Sequence, residues 1–227
     1  MNNIDIPVIT IDGPSGTGKG TVATALAARL GFHLLDSGAL YRVLGVAVAH
    51  ASIDLQDHEA IAQLARGLDI RFGQEGPGSV ALAGTDISLE IRTDLGSDMA
   101  SRVGAIPAAR EALMDRQLAF RQPPGLVADG RDMGTMVFPA ANPKIYLTAS
   151  VEERAQRRYK QLLDKGIDAI LRDLLQDLSE RDERDSERSI SPLKPADDAI
   201  VIDTTHLNEV EVMAQVMDLV QKALSAP

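Results

Sequence analysis

Two hydrophobic patterns alternate along the chain. Short, nearly continuous apolar runs occur at "PVITID" (7–12), "HLLD" (33–36), "GLVAD" (125–129), "KIYLTA" (144–149) and "IVID" (200–203). Runs of this length predict strands buried on both faces. Between them apolar residues recur every three to four positions, as in "GKGTVATALAARL" (18–30) and "SGALYRVLGVAVAHA" (37–51). The same spacing predicts helices over 107–121, 151–165, 168–188 and 208–224. Strand, helix, strand, helix in this rhythm predicts an α/β protein with a five-stranded parallel sheet flanked by helices.

The middle of the chain breaks the rhythm. In "LDIRFGQEGPGSVALAGTDISLE" (68–90) apolar and polar residues alternate, interrupted by Gly-Pro-Gly and Gly-Thr. These are turn signals between antiparallel strands. A small inserted subdomain is therefore expected at 63–103, with the core formed by 1–62 and 104–227. "SPLKPADDA" (191–199) reads as a Pro-punctuated loop before the last strand.

Composition narrows the function classes. The 227 residues are 44% hydrophobic but only 3% aromatic, without Trp, so the core is aliphatic and base stacking on single-stranded nucleic acid is disfavoured. A net charge of -10 argues against a nucleic-acid polymer as partner. A small anion held by a few local arginines stays compatible with it. There is no Cys, hence no disulfide framework or thiolate chemistry. The N-terminus lacks the basic and apolar regions of a signal peptide, and no apolar stretch is long enough to span a membrane. The expectation is a soluble, cytoplasmic protein with no membrane partner, acting as a monomer.

"GPSGTGKGT" (13–21) lies after the first strand and opens the first helix. Glycines let such a loop curl its N–H groups inward, the helix N-terminus adds positive potential, and Lys19 supplies a point charge for phosphates. The general motif has Ser or Thr directly after Lys; here Gly20 intervenes and Thr21 follows. If Thr21 contacts phosphate, Mg²⁺ is expected to be held mainly by nucleotide oxygens and water. Two rival classes lack their signatures. A GTP switch needs D-x-x-G and N-K-x-D; no Asp has Gly three positions later, and "NPKI" (142–145) is not N-K-x-D. An ATPase motor needs oligomer-facing sensors, for which the chain offers no clear candidate. A small-molecule kinase is the remaining reading.

Three stretches offer acceptor chemistry. "LLDSGALYR" sets Ser37, Tyr41 and Arg42 at the start of the helix after strand two. "ADGRDMGT" (128–135) ends another strand with Asp129, Arg131 and Asp132, flanked by Gly130 and Gly134. In a parallel sheet the carboxyl ends of the strands face the ligand crevice. "ERDERDSERS" (180–189) is a charge run that reads as a solvated face, yet Arg181, Asp185 and Arg188 are spaced i, i+4, i+7. At about 100° per residue they fall within roughly 60° of one another on a helix.

Over nearly its whole length the chain resembles bacterial cytidylate kinases, nucleoside monophosphate kinases of the P-loop class. The resemblance rests on "ITIDGPSGTGKGT", "HLLDSGALYR", "EIRT" (90–93), "LVADGRDMGT" with "VFP" after it, "ERAQRR" (153–158) and "ERDERD". The first is shared by many nucleotide kinases; "LLDSGALYR" together with "DGRDMGT" is far more specific. The resemblance implies the P-loop nucleoside monophosphate kinase fold and phosphoryl transfer from ATP, with Mg²⁺, to CMP or dCMP. UMP or AMP is the alternative acceptor. It assigns ATP to Gly13, Pro14, Ser15, Gly16, Thr17, Gly18, Lys19, Gly20 and Thr21. It gives the CMP phosphate to Arg42, Arg131 and Arg188, and the cytosine to Ser37, Arg110 and Asp132; Tyr41 is expected among the substrate-binding residues. Ser101, Arg181 and Asp185 take the sugar, and Asp129 organises the Mg²⁺ shell or a neighbouring arginine. Arg154, Arg157 and Arg158 belong to a short lid, 151–165, closing over the ATP phosphates. The acceptor is a phosphate oxygen already largely dianionic at neutral pH, so no catalytic His is needed. Alignment and charge neutralisation carry the reaction, with Lys19, Arg131, Arg188 and Asp129 at its centre.

Overall fold

The computed structural model describes residues 6–73, 76, 78–164 and 166–225. The elements in chain order are β1 (Val8–Asp12), α1 (Lys19–Leu30), β2 (His33–Asp36), α2 (Ser37–His50), α3 (His58–Gly67), β3 (Ile70–Phe72), β4 (Val80–Leu82), β5 (Thr85–Asp86), α4 (Asp94–Val103), α5 (Pro107–Leu118), β6 (Leu126–Gly130), β7 (Lys144–Thr148), α6 (Val151–Leu163), α7 (Leu171–Ser186), β8 (Ile200–Asp203) and α8 (Glu209–Ser225). They divide into two compact units, residues 1–36 with 118–227, and residues 37–117.

The first unit is built on the expected parallel sheet, in the order β2-β6-β1-β7-β8. Every residue of β1 and β6 is buried, as the uninterrupted apolar runs require. Ile9, Ile11, Val127, Ile145 and Leu147 meet Val22 and Leu26 of α1 and Val212, Val216 and Val220 of α8. β1 pairs with β6 in the register Asp12↔Gly130, so the loops after both strands leave the same sheet edge side by side.

The second unit holds a three-stranded antiparallel sheet, β3-β4-β5, with Phe72 opposite Val80 and Leu82 opposite Thr85. Pro77 of the expected Gly-Pro-Gly turn, and Lys165 at the expected end of the lid, lie outside the described residues. α3 and α4 answer to no helix expected from the sequence. Their signals are local caps, the Asp57 side chain accepting from the Ala60 N–H and Thr93 from the Gly96 N–H. This unit is wider than the 63–103 insert because α2 and α5 share its core. Tyr41, Leu44 and Val48 of α2 pack with Ile61 and Ala65 of α3, Ala100 and Val103 of α4, and Ala109 and Leu113 of α5. Gly45 allows close helix approach: a Cβ there would lie 2.7 Å from that of Met99.

Element ends shift by a few residues, and one shift matters. The helix expected to run to 188 ends at Ser186, leaving Arg188 in the turn beyond it. The α5 helix stops at Leu118 rather than 121.

Candidate active site

The loop 13–18 wraps the N-terminus of α1. Gly13 has φ 147, and a Cβ on it would lie 2.0 Å from the carbonyl oxygen of Leu147 on β7; only glycine fits against that strand. Gly18 caps α1 at φ 87 without a side-chain cap, and the first turn of the helix holds no acid of its own. Lys19, 8% exposed, folds back to donate from Nζ to the Pro14 carbonyl at 3.0 Å. The Thr17 hydroxyl donates to the same carbonyl at 3.2 Å.

Side chains brace this loop from outside. Arg154 on α6 donates to the Ser15 carbonyl at 3.1 Å, to the Ala149 carbonyl at 3.0 Å, and to Asp182 on α7 at 2.5 Å. Thr204, fully buried after β8, donates from its hydroxyl to the Thr148 carbonyl at 3.0 Å, with the Thr17 carbonyl also in reach at 3.3 Å. Arg157 donates to the Thr204 carbonyl at 2.6 Å and to Glu153 at 2.9 Å. The sequence placed Arg154 and Arg157 on a lid over the phosphates. In this structure both guanidinium groups engage protein carbonyls and acids around the loop.

The position of Gly20 has a local reason. A Cβ there would stand 3.3 Å from Oδ2 of Asp129, so the β6 carboxylate borders the space that a Ser or Thr side chain after Lys would enter. A buried carboxylate at this spot, 7% exposed beside the phosphate loop, fits a Mg²⁺ ion carried in on nucleotide oxygens.

The "DGRDMGT" loop is tied to β1 by a residue absent from the predicted set. The carboxylate of Asp12, the last residue of β1, accepts from the backbone N–H groups of Met133 and Gly134, both at 2.8 Å. These open a π-helical turn, Met133–Val137, directly after Asp132. Burial raises the Asp12 pKa from 3.8 to about 7, helped by the nearby Asp132 and Asp129 charges and opposed by the two N–H donors. An acid closing an otherwise apolar strand was the available signal.

Asp185, 1% exposed, is the centre of the charge run. Arg131 Nε lies 3.3 Å from its Oδ2, Arg181 Nε lies 3.9 Å from the same oxygen, and Arg188 contacts Oδ1 from the turn beyond α7. Arg188 thus joins the cluster without sharing the helix face, and the Asp185 carbonyl accepts from the Leu193 N–H at 2.8 Å. Glu183, Arg184 and Glu187 are exposed.

The second unit carries Ser37, Tyr41, Arg42, Ser101 and Arg110. Ser37, Ser101 and Arg110 are all 5% exposed or less. The Arg110 guanidinium lies 5.5 Å from the Tyr41 ring centroid and donates to the Gly104 carbonyl at 3.2 Å. Ser37 donates from Oγ to Oε1 of Gln117 at 2.9 Å. Gln117 lies seven positions after Arg110, on the same buried stripe of α5 as Ala109 and Leu113. Two polar residues on an apolar stripe were the signal that could have drawn it into the predicted set.

A cavity of about 600 Å³ in the first unit lies elsewhere, against Pro7, Val8, Phe138 and Leu224 near the start of β1 rather than its phosphate-loop end. Among the described residues no helix is long and apolar enough to cross a membrane.

The chain's similarity to known proteins agrees with this geometry. A family model described as cytidylate kinase matches residues 9–222. A cytidylate kinase of Shewanella amazonensis is 55% identical over 223 residues, covering 97% of this chain and 96% of that one. One from Shewanella halifaxensis is 53% identical over 224 residues, covering 97% of each chain. One from Shewanella denitrificans is 54% identical over 222 residues, covering 96% of this chain and 98% of the other. With a braced phosphate loop, an adjacent Asp-Gly-Arg-Asp loop and relatives alike from end to end, the chain belongs to the cytidylate kinase family.

Proposed function

We propose that this phosphotransferase moves the γ-phosphoryl group of ATP to CMP and dCMP, giving CDP and dCDP, with Mg²⁺ bound to the nucleotide. The observation that carries the reading is the pairing of β1 with β6. It sets a loop suited to a phosphoryl donor beside one suited to an acceptor, with Asp12 bridging them.

Lys19 and the 13–21 backbone hold the ATP phosphates. Arg154 and Arg157 keep that loop in shape, and Arg158 completes the arginine set of α6. Arg131 and Arg188 on Asp185, together with Arg42, hold the dianionic acceptor phosphate. Arg42 is half-buried and has no ion-pair or hydrogen-bond partner among the described residues. Guanidinium forks suit phosphate oxygens, and Asp185 fixes their direction before substrate arrives. Asp185, Arg181 and Ser101 take the sugar. Ser37, Asp132 and Arg110 read cytosine, with Tyr41 supporting the Arg110 plane. Mg²⁺, when bound, neutralises charge on the transferring group, and Asp129 orders its water shell.

No residue has to remove a proton from the acceptor. The protein supplies alignment and fixed positive charge. A coupled assay of ADP release over CMP, dCMP, UMP, AMP and GMP tests the reading. CMP and dCMP should support turnover well above the others, and equal rates across the panel would reject it.

A further inference from the structure

We propose that Gln117 is a positioning residue for base selection: its amide oxygen accepts the hydrogen bond that the Ser37 hydroxyl donates and leaves Ser37 able only to accept a hydrogen bond from the substrate. This deepens the reading of Ser37 as a cytosine contact and rests on it. Ser37 Oγ donates to Gln117 Oε1 at 2.9 Å, and both side chains are buried, at 3% and 0% exposed. A serine hydroxyl has one proton and two lone-pair directions. Free to rotate, it donates to a carbonyl or accepts from an amine with equal ease, and so would not tell uracil from cytosine. Committed to Gln117, it presents lone pairs alone. Cytosine offers an exocyclic amine to such an acceptor; uracil offers a carbonyl oxygen, which meets like charge.

The rest of the Gln117 amide supports this role over simple tethering of α2 to α5. Nε2 is buried with no hydrogen-bond partner among the described residues. Buried amides in protein cores almost always satisfy both ends. Here the pair keeps its oxygen facing Ser37 although the nitrogen goes unmatched. A hydroxyl of defined polarity is what that arrangement secures.

The test compares kcat/KM for CMP with kcat/KM for UMP in the full chain and in Gln117→Met, Gln117→Glu, Ser37→Ala and the Ser37→Ala/Gln117→Met pair, with thermal melting to establish folding. Gln117→Met keeps the volume and removes the oxygen acceptor. It should lower the CMP-to-UMP ratio about 10-fold, chiefly by improving KM for UMP, because the freed hydroxyl can then donate. Gln117→Glu retains an oxygen toward Ser37 and should hold the ratio within about 3-fold of the parent. In the Ser37→Ala background, Gln117→Met should change the ratio no further, since its effect passes through that hydroxyl. If Ser37→Ala lowers the ratio while Gln117→Met leaves it unchanged, this inference fails and the base-reading assignment of Ser37 survives. The inference also fails, with that assignment intact, if Gln117→Glu loses as much selectivity as Gln117→Met. A ratio untouched by Ser37→Ala overturns both.

Discussion

Arg131, directly after β6, and Asp185, near the end of α7, meet at 3.3 Å across 54 residues of sequence. The contact turns "ERDERDSERS" from a solvated face into a buried ion-pair cluster joined to the "DGRDMGT" loop, with its acidic centre only 1% exposed. Asp185→Ala would leave Arg131, Arg181 and Arg188 without their shared buried carboxylate. Removing one partner of a buried ion pair typically costs about 3–5 kcal/mol. The variant should therefore lose both stability and kcat/KM for CMP, the latter at least ~10-fold. Glu183→Ala and Glu187→Ala, at exposed positions of the same run, should stay within about 0.5 kcal/mol of the parent and keep its kinetics. Chemical denaturation and initial rates check both, and equal behaviour of all three variants would reduce the run to surface charge.

Lys19 is buried against the loop it serves. Lys19→Ala should lower kcat at least ~100-fold, the usual loss for one preorganised electrostatic contact, with melting little changed. Near-normal turnover in the folded variant would count against the assignment of this loop to ATP.

The sheet was legible because its strands are uninterrupted apolar runs, and the phosphate loop because its glycines and lysine follow one of them. α3 and α4 were hidden because their cues, Asp57 and Thr93, are single capping residues on either side of a stretch that reads as a hairpin. Spacing alone put Arg181, Asp185 and Arg188 on one helix face, but the helix stops at Ser186 and Arg188 reaches Asp185 from a turn. The sequence shows Arg154 only as one of three arginines on an expected lid helix. Only the fold brings the Ser15 carbonyl and Asp182 to it. Asp12 and Gln117 act through partners 121 and 80 residues away, a distance at which no local pattern operates.

Asp12 gives a pH dependence with a definite sign. Its pKa rises from 3.8 in the unfolded chain to about 7 in the fold. Between those values the folded chain keeps a proton that the unfolded chain has lost, so this group's contribution to stability falls as pH rises through the window. It is whole below about pH 4 and fully lost above about pH 7. Asp12→Asn should flatten the stability-pH curve over that interval relative to the parent, as followed by urea midpoints. Parallel curves for the two proteins would show that Asp12 ionises normally.

Asp129 borders the space beside Gly20 where a metal on the ATP phosphates would be reached. Asp129→Asn should raise the Mg²⁺ concentration for half-maximal activity by about 10-fold or more, as loss of an outer-shell metal partner does. Nucleotide binding measured without metal should be unaffected. An unchanged Mg²⁺ titration would leave Asp129 as an arginine partner only.

Whether phosphoryl transfer is directed to cytidine monophosphates is decided by competition. Equimolar CMP, dCMP, UMP and isotope-labelled AMP are offered with limiting unlabelled ATP and Mg²⁺, and the diphosphates are counted by mass spectrometry, the label separating ADP made from AMP from the ADP that ATP releases in every turnover. The initial product ratio then equals the ratio of kcat/KM values. A site whose buried polar groups pair with the cytosine edge should favour CDP and dCDP over UDP and labelled ADP by at least ~100-fold. Comparable yields of CDP, dCDP, UDP and labelled ADP would show that the site does not select cytosine.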